Sequence, residues 1–147
     1  MKYIIALSGK SNCGKSTTIN KVISLCEKRF NTIFVNRKCL DWFGMFEYKG
    51  IMIGIAAKGD KEELILDELR KIEDSAKKKC DIFVCACHIY GETVDCIHGL
   101  AIKYKAQIIM IHKGDYIESP HDIKKKRDAF NTIHAKMILD EIIECCK

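Results

Sequence analysis

The strongest constraint on the fold is a short string near the N-terminus, Gly9-Lys10-Ser11-Asn12-Cys13-Gly14-Lys15-Ser16. Directly before it stands KYIIALS, residues 2 to 8, an apolar run rich in β-formers that reads as a buried strand. Directly after it, Ile19, Val22, Ile23, Cys26 and Phe30 follow the 3, 4 spacing of an amphipathic helix running from Lys15 to Arg29. Glycines at both ends of the string permit positive φ and close backbone approach. Successive N–H groups then turn inward as a nest for an anion, and the following helix adds its positive end.

The rest of the chain alternates. NTIFVN (31 to 36) reads as a second strand. In residues 41 to 60, Lys49-Gly50 separates MFEY from IMIGIA in the manner of a hairpin turn. Asp60 with Glu63 forms a capping-box pattern opening a helix to about Lys79, whose core face is Leu64, Ile65, Leu69, Ile72 and Ala76. DIFVCA (81 to 86) is another buried strand, Thr93 to Lys105 a helix with Thr93 as its cap, and AQIIMIH (106 to 112) a further strand. Ser119-Pro120 with Asp122 marks a last helix start, and Ile123, Phe130, Ile133, Met137 and Ile142 give that helix its apolar side. Strands alternating with helices predict an α/β chain, a three-layer α/β/α sandwich whose sheet is mainly parallel with one hairpin. In such sheets ligands bind at the carboxyl ends of the strands. The glycine loop, the loop after Asn36, AAKGD, CHIYGET and HKGD are therefore expected on one rim.

The string 9–16 matches GxxxxGK[ST] without gaps, and its strand-before, helix-after context is the one that motif requires. Residues 3 to 26 resemble the Walker A unit of the P-loop nucleoside triphosphatases and kinases. The resemblance is specific over about the first thirty residues and loose beyond them. It implies a P-loop NTPase domain over residues 1–147 that binds ATP or GTP with Mg²⁺. The backbone of Ser11, Asn12, Cys13 and Gly14 would cradle the phosphates. Lys15 would reach the terminal phosphates, Ser16 coordinate Mg²⁺, and Thr17 bond an inner phosphate.

Phosphoryl transfer also needs an acid for the metal and a group that positions the nucleophile. Small GTPases place that acid in D-x-x-G after a hairpin strand; here the strand ends in Ala57 and the first acid is Asp60, a candidate metal ligand that is equally a helix cap. IHKGD (111 to 115) is similar to the guanine-reading N-K-x-D, with His112 in place of Asn, so guanine specificity would rest on Asp115 alone. Small-molecule kinases close an Arg-rich lid, whereas this chain has only Arg29, Arg37, Arg70 and Arg127. Arg37 follows the second strand on the rim suited to a phosphate contact, and Arg127 lies in the basic run KKKRD. In CHIYGET, His88 follows a buried strand and is a candidate for positioning a water or hydroxyl.

Composition narrows the class. Hydrophobic residues make up 48% and charged residues 31%, the balance of a packed domain with a solvated surface. No apolar run approaches the ~18 residues of a membrane span, and the N-terminal one passes straight into the glycine loop, so neither membrane insertion nor a signal peptide is expected. Nine cysteines, an odd number without a secretory signal, suit free thiols in the cytoplasm. None of them shows the spacing of a zinc site. Cys13 sits near positive charge and a helix N-terminus, where thiols react readily, so ready alkylation is expected unless nucleotide covers it. The net charge of +5 suits an anionic ligand, and the aromatic–basic interleaving of a nucleic-acid surface is lacking. The leading expectation is Mg-ATP binding with slow hydrolysis or phosphate transfer to an acceptor, with Lys15, Asp60 and His88 as catalytic candidates. The alternatives are a GTPase-like switch whose output is a protein partner, and a nucleotide-binding module without turnover.

Overall fold

A computed structural model describes residues 1–11, 13–59, 61–114 and 122–147. The elements run in the order β1 (Tyr3–Ser8), α1 (Lys15–Arg29), β2 (Asn31–Asn36), β3 (Phe43–Tyr48), β4 (Ile51–Ala56), α2 (Glu62–Ala76), β5 (Ile82–Cys87), α3 (Glu92–Tyr104), β6 (Gln107–His112) and α4 (Ile123–Cys145). The chain is thus α/β, with a mixed sheet ordered β2-β3-β4-β5-β1-β6.

β1 pairs in parallel with both β5 and β6, and β4 in parallel with β5. β3 is antiparallel to both of its neighbours, so it alone runs against the other strands. The expected hairpin is the β3–β4 pair, and β2 extends it into a meander. Its turn is made by Lys49 and Gly50, both at positive φ (53° and 76°), the pattern of a type I′ turn that matches strand twist.

Two cores flank the sheet. β1 alternates Ile5 and Leu7 to one face and Ile4 and Ala6 to the other, all fully buried. On the first face these meet Ile19, Val22, Ile23 and Cys26 of α1 and Ile138 and Ile142 of α4. On the second they meet Ile65, Leu69 and Ile72 of α2 and Ile97 and Leu100 of α3. β5 is buried along its whole length because helices cover both of its faces.

Three expectations need correction. The apolar side of α4 is not the one its largest residues suggest: Ile133 is 57% and Met137 45% exposed, while Asn131, His134, Ala135 and Ile138 are buried. α4 begins at Ile123 behind Asp122, later than expected, and Ser119-Pro120 lies outside the described residues. α2 stops at Ala76, where Lys77 enters the left-handed region.

Candidate phosphate-binding site

The sheet order marks one crevice. From β1 the chain leaves through α1, on one face, toward the β2 edge; from β5 it leaves through α3, on the other face, toward β6. Adjacent strands whose connections depart in opposite senses open a cleft between their carboxyl ends. Ser8 lies level with Cys87 on one side and His112 on the other, so three strands end at the same height around residues 9–14.

The loop is tied down at its start, where the Gly9 N–H donates to the Cys87 carbonyl at 3.2 Å. A Cβ at residue 9 would stand 2.6 Å from Cys13 Sγ and 3.2 Å from the Lys113 carbonyl oxygen, so only glycine fits there. The loop ends at Gly14, which takes φ 90° and ψ 23° and turns the chain into α1. The bond from Thr18 N–H to the Gly14 carbonyl, 2.9 Å, closes the first helical turn. The N–H groups of Lys15, Ser16 and Thr17 precede that closure, so the helix offers them no acceptor. No acid occupies the first turn of α1 to offset its positive end.

Lys15 is buried, with 6% of its surface exposed, and its Nζ donates to the carbonyls of Gly9 (2.8 Å) and Lys10 (2.7 Å). An ammonium has three N–H bonds, so one remains for a ligand oxygen. Thr17 is exposed at the mouth, whereas Thr18 is buried and returns its hydroxyl to the Gly14 carbonyl at 2.7 Å. Ser11 is exposed beside the loop, and Asn12 lies outside the described residues. Cys13 is only 4% exposed, so the ready alkylation expected from its neighbourhood is corrected by its burial.

On the β5 side a cavity of about 320 Å³ is lined by Lys10, Ser11, His88, Ile89 and Tyr90. His88 is fixed through its backbone: its N–H donates to Thr93 Oγ1 at 2.9 Å and its carbonyl accepts from Ser8 Oγ at 3.4 Å. Thr93 therefore pins this loop and does not cap α3, whose cap position is held by Gly91. Ser16 Oγ donates to the Ala57 carbonyl at 3.4 Å, which places its oxygen between α1 and the end of β4. That hydroxyl is a hard oxygen donor of the kind Mg²⁺ takes alongside substrate phosphates. Asp60 lies outside the described residues, and the cap position of α2 is held by Lys61 without a side-chain cap bond, which corrects the expected Asp60–Glu63 capping box.

Sequence reasoning passed over Lys113. Its N–H donates to the Ser8 carbonyl at 2.7 Å, its side chain is buried beneath the loop, and Nζ stands 4.5 Å from the Phe130 ring of α4. Burial pushes its ammonium down to about 8, with Cys13 pulling the other way. The signals were its place directly after an apolar strand and its position as the Lys of the HKGD string, while residue type argued against burial. Arg37, expected to face a phosphate, instead pairs with Glu27 and lies 4.6 Å over the Trp42 ring. Asp115 falls outside the described residues. Cys85, Cys87 and Cys96 pack into the second core as small apolar groups, and burial pushes the Cys87 thiol up to about 11. No described helix is long and apolar enough to cross a membrane.

Comparison with family models, with curated proteins and with solved structures yields no match in any of the three.

Proposed function

We propose that the chain is a P-loop nucleoside triphosphatase that binds Mg-ATP in the loop of residues 9–16 and hydrolyses it slowly or passes its terminal phosphoryl group to an acceptor. One observation carries this reading: a left-handed Gly14 opens α1 at the crevice between β1 and β5, with the Lys15 ammonium held over the loop by two carbonyls. An ammonium held over the loop and the N-terminus of a helix behind it suit a polyphosphate.

The residues divide the work as follows. Lys15 meets the terminal phosphates, since its Nζ lies at the Gly9–Lys10 end of the loop. Ser16 and Thr17 meet the metal and the inner phosphates at the helix end, and Asp60 is the candidate second metal ligand. A Mg²⁺ held there would supply charge screening between the outer phosphates. His88 borders the cavity at the terminal end. A water or acceptor hydroxyl placed there attacks the terminal phosphorus as the bridging P–O bond breaks, ADP departs, and the imidazole takes the proton.

GTP as ligand is a second reading. It is favoured by the direct pairing of β6 with β1, which sets Lys113 of the HKGD segment against the loop.

Melting temperatures with ATP, GTP and their diphosphates, with and without Mg²⁺, test both. A ligand at a hundred times its Kd adds about 2.7 kcal/mol of stability, roughly 5–11 °C for a chain of this size. Mg-ATP is expected to give that shift and Lys15→Ala to abolish it while the apo protein stays folded. A larger shift with GTP favours the second reading. A shift retained in Lys15→Ala places the nucleotide elsewhere, and no shift with any nucleotide overturns the proposal.

A further inference from the structure

The loop of residues 37–42, between β2 and β3, is fastened to the candidate site by a continuous set of bonds. Asn20 of α1 uses both ends of its amide: Nδ2 donates to the Leu40 carbonyl at 2.7 Å, and Oδ1 accepts the Trp42 N–H at 3.1 Å. The Trp42 carbonyl accepts the Ala57 N–H at 3.0 Å, and the Ala57 carbonyl accepts the Ser16 hydroxyl at 3.4 Å. Arg37, at the start of the loop, pairs with Glu27 and covers the Trp42 ring. Ser16, Asn20 and Glu27 lie four and seven residues apart, so one stripe of α1 faces this loop.

The links are unequal. Those made by Asn20 and Trp42 are ordinary hydrogen bonds, whereas 3.4 Å is long for a hydroxyl donor, whose usual distance is about 2.7–2.8 Å. The slack lies at Ser16, the residue with a hydroxyl oxygen suited to a cation. A hydroxyl that gives its lone pair to a cation must point its proton away from it, and polarisation makes that proton a stronger donor. The Ala57 carbonyl is the acceptor in place.

We propose that residues 37–42 form a nucleotide-responsive surface loop, clamped to α1 by Asn20 and tightened through Ala57 and Trp42 when Ser16 takes a cation. This rests on the Mg-nucleotide reading of the site. The loop carries Leu40, 91% exposed, the most exposed large apolar side chain among the described residues.

Cys39, at the tip of the same loop, is the one exposed thiol of the nine. A nitroxide attached to it, in a Cys145→Ser background because Cys145 is half-buried, reads the loop's mobility by electron paramagnetic resonance. Melting shifts on the same samples report whether nucleotide is bound. Adding Mg-AMP-PNP is expected to slow the label at least twofold. Asn20→Ala is expected to leave the label fast in both states while keeping the melting shift. Asn20→Asp, which can accept from Trp42 but cannot donate to Leu40, is expected to fall between the two. A full melting shift with an unchanged label spectrum overturns the coupling and leaves nucleotide binding standing. A label equally slow in Asn20→Ala and wild type overturns the clamp. Absence of the melting shift itself overturns the binding reading, and the coupling with it.

Discussion

Gly9→Ala tests the geometry of the loop most sharply, because its cost can be worked from the neighbours. The new methyl would lie 2.6 Å from Cys13 Sγ and 3.2 Å from the Lys113 carbonyl oxygen. Neither can easily withdraw: both residues are buried, and the Lys113 backbone is held by its 2.7 Å bond to Ser8. Overpacking of this kind costs about 2 kcal/mol. Cys13→Ala alone loses one small buried group, about 1 kcal/mol. Together the two changes should cost about 2 kcal/mol, because removing Sγ relieves the shorter clash and leaves only the carbonyl contact. The cycle is read by urea denaturation of the four proteins, from midpoints at constant m-value. A coupling near 1 kcal/mol supports the packing of Gly9 against Cys13. Additivity within about 0.3–0.5 kcal/mol would refute it.

Other consequences can be checked as directly. His88→Ala should keep the Mg-ATP melting shift but lower kcat about a hundredfold, measured by phosphate release; unchanged turnover removes His88 from the reaction. Burial holds Cys26 and Cys80 at about 12 and Cys87 and Cys145 at about 11, above the usual 9.0. Their contribution is complete below pH 9 and is lost as pH rises from there toward 12. Lys113, lowered to about 8 from 10.5, acts in the opposite sense, adding stability between those two values. Urea midpoints in reductant should therefore fall above pH 9, and fall more steeply in Lys113→Met; a flat curve contradicts the burial of these thiols. On α4, Ile133→Ser or Met137→Ser should stay within about 0.5 kcal/mol, while Ile138→Ala should cost about 2–5 kcal/mol by the same denaturation assay.

Much of this architecture is legible in the chain itself. The Gly9–Ser16 string, with an apolar run before it and a 3, 4 pattern after it, leads to the strand, loop and helix that form. Lys49-Gly50 announces its turn because paired positive φ is what such a hairpin needs. The α/β alternation places the loops after β1, β2, β4, β5 and β6 on one rim, since those strands share a direction. The strand order is another matter. That β5 stands between β1 and β4 depends on which sheet edge each crossover chooses, which local pattern does not encode. The buried face of α4 is not legible in the sequence because apolar residues occur on all sides of that helix, so no single stripe dominates. Its first half runs past the rim beside Lys113, where Asn131 and His134 are buried and Ile133 points away. The Asn20 clamp leaves only a faint trace in the sequence, as a polar stripe of Ser16, Asn20 and Glu27 beside the buried one on α1.

The central claim, that an oxyanion sits in a nest of backbone amides opening α1, is tested most directly by titrating ¹⁵N-labelled protein with Mg-AMP-PNP. The account predicts that the amide resonances of Gly14, Lys15, Ser16 and Thr17 move furthest and saturate together, with Lys15→Ala erasing the response. Saturable binding that leaves those amides unmoved would contradict it.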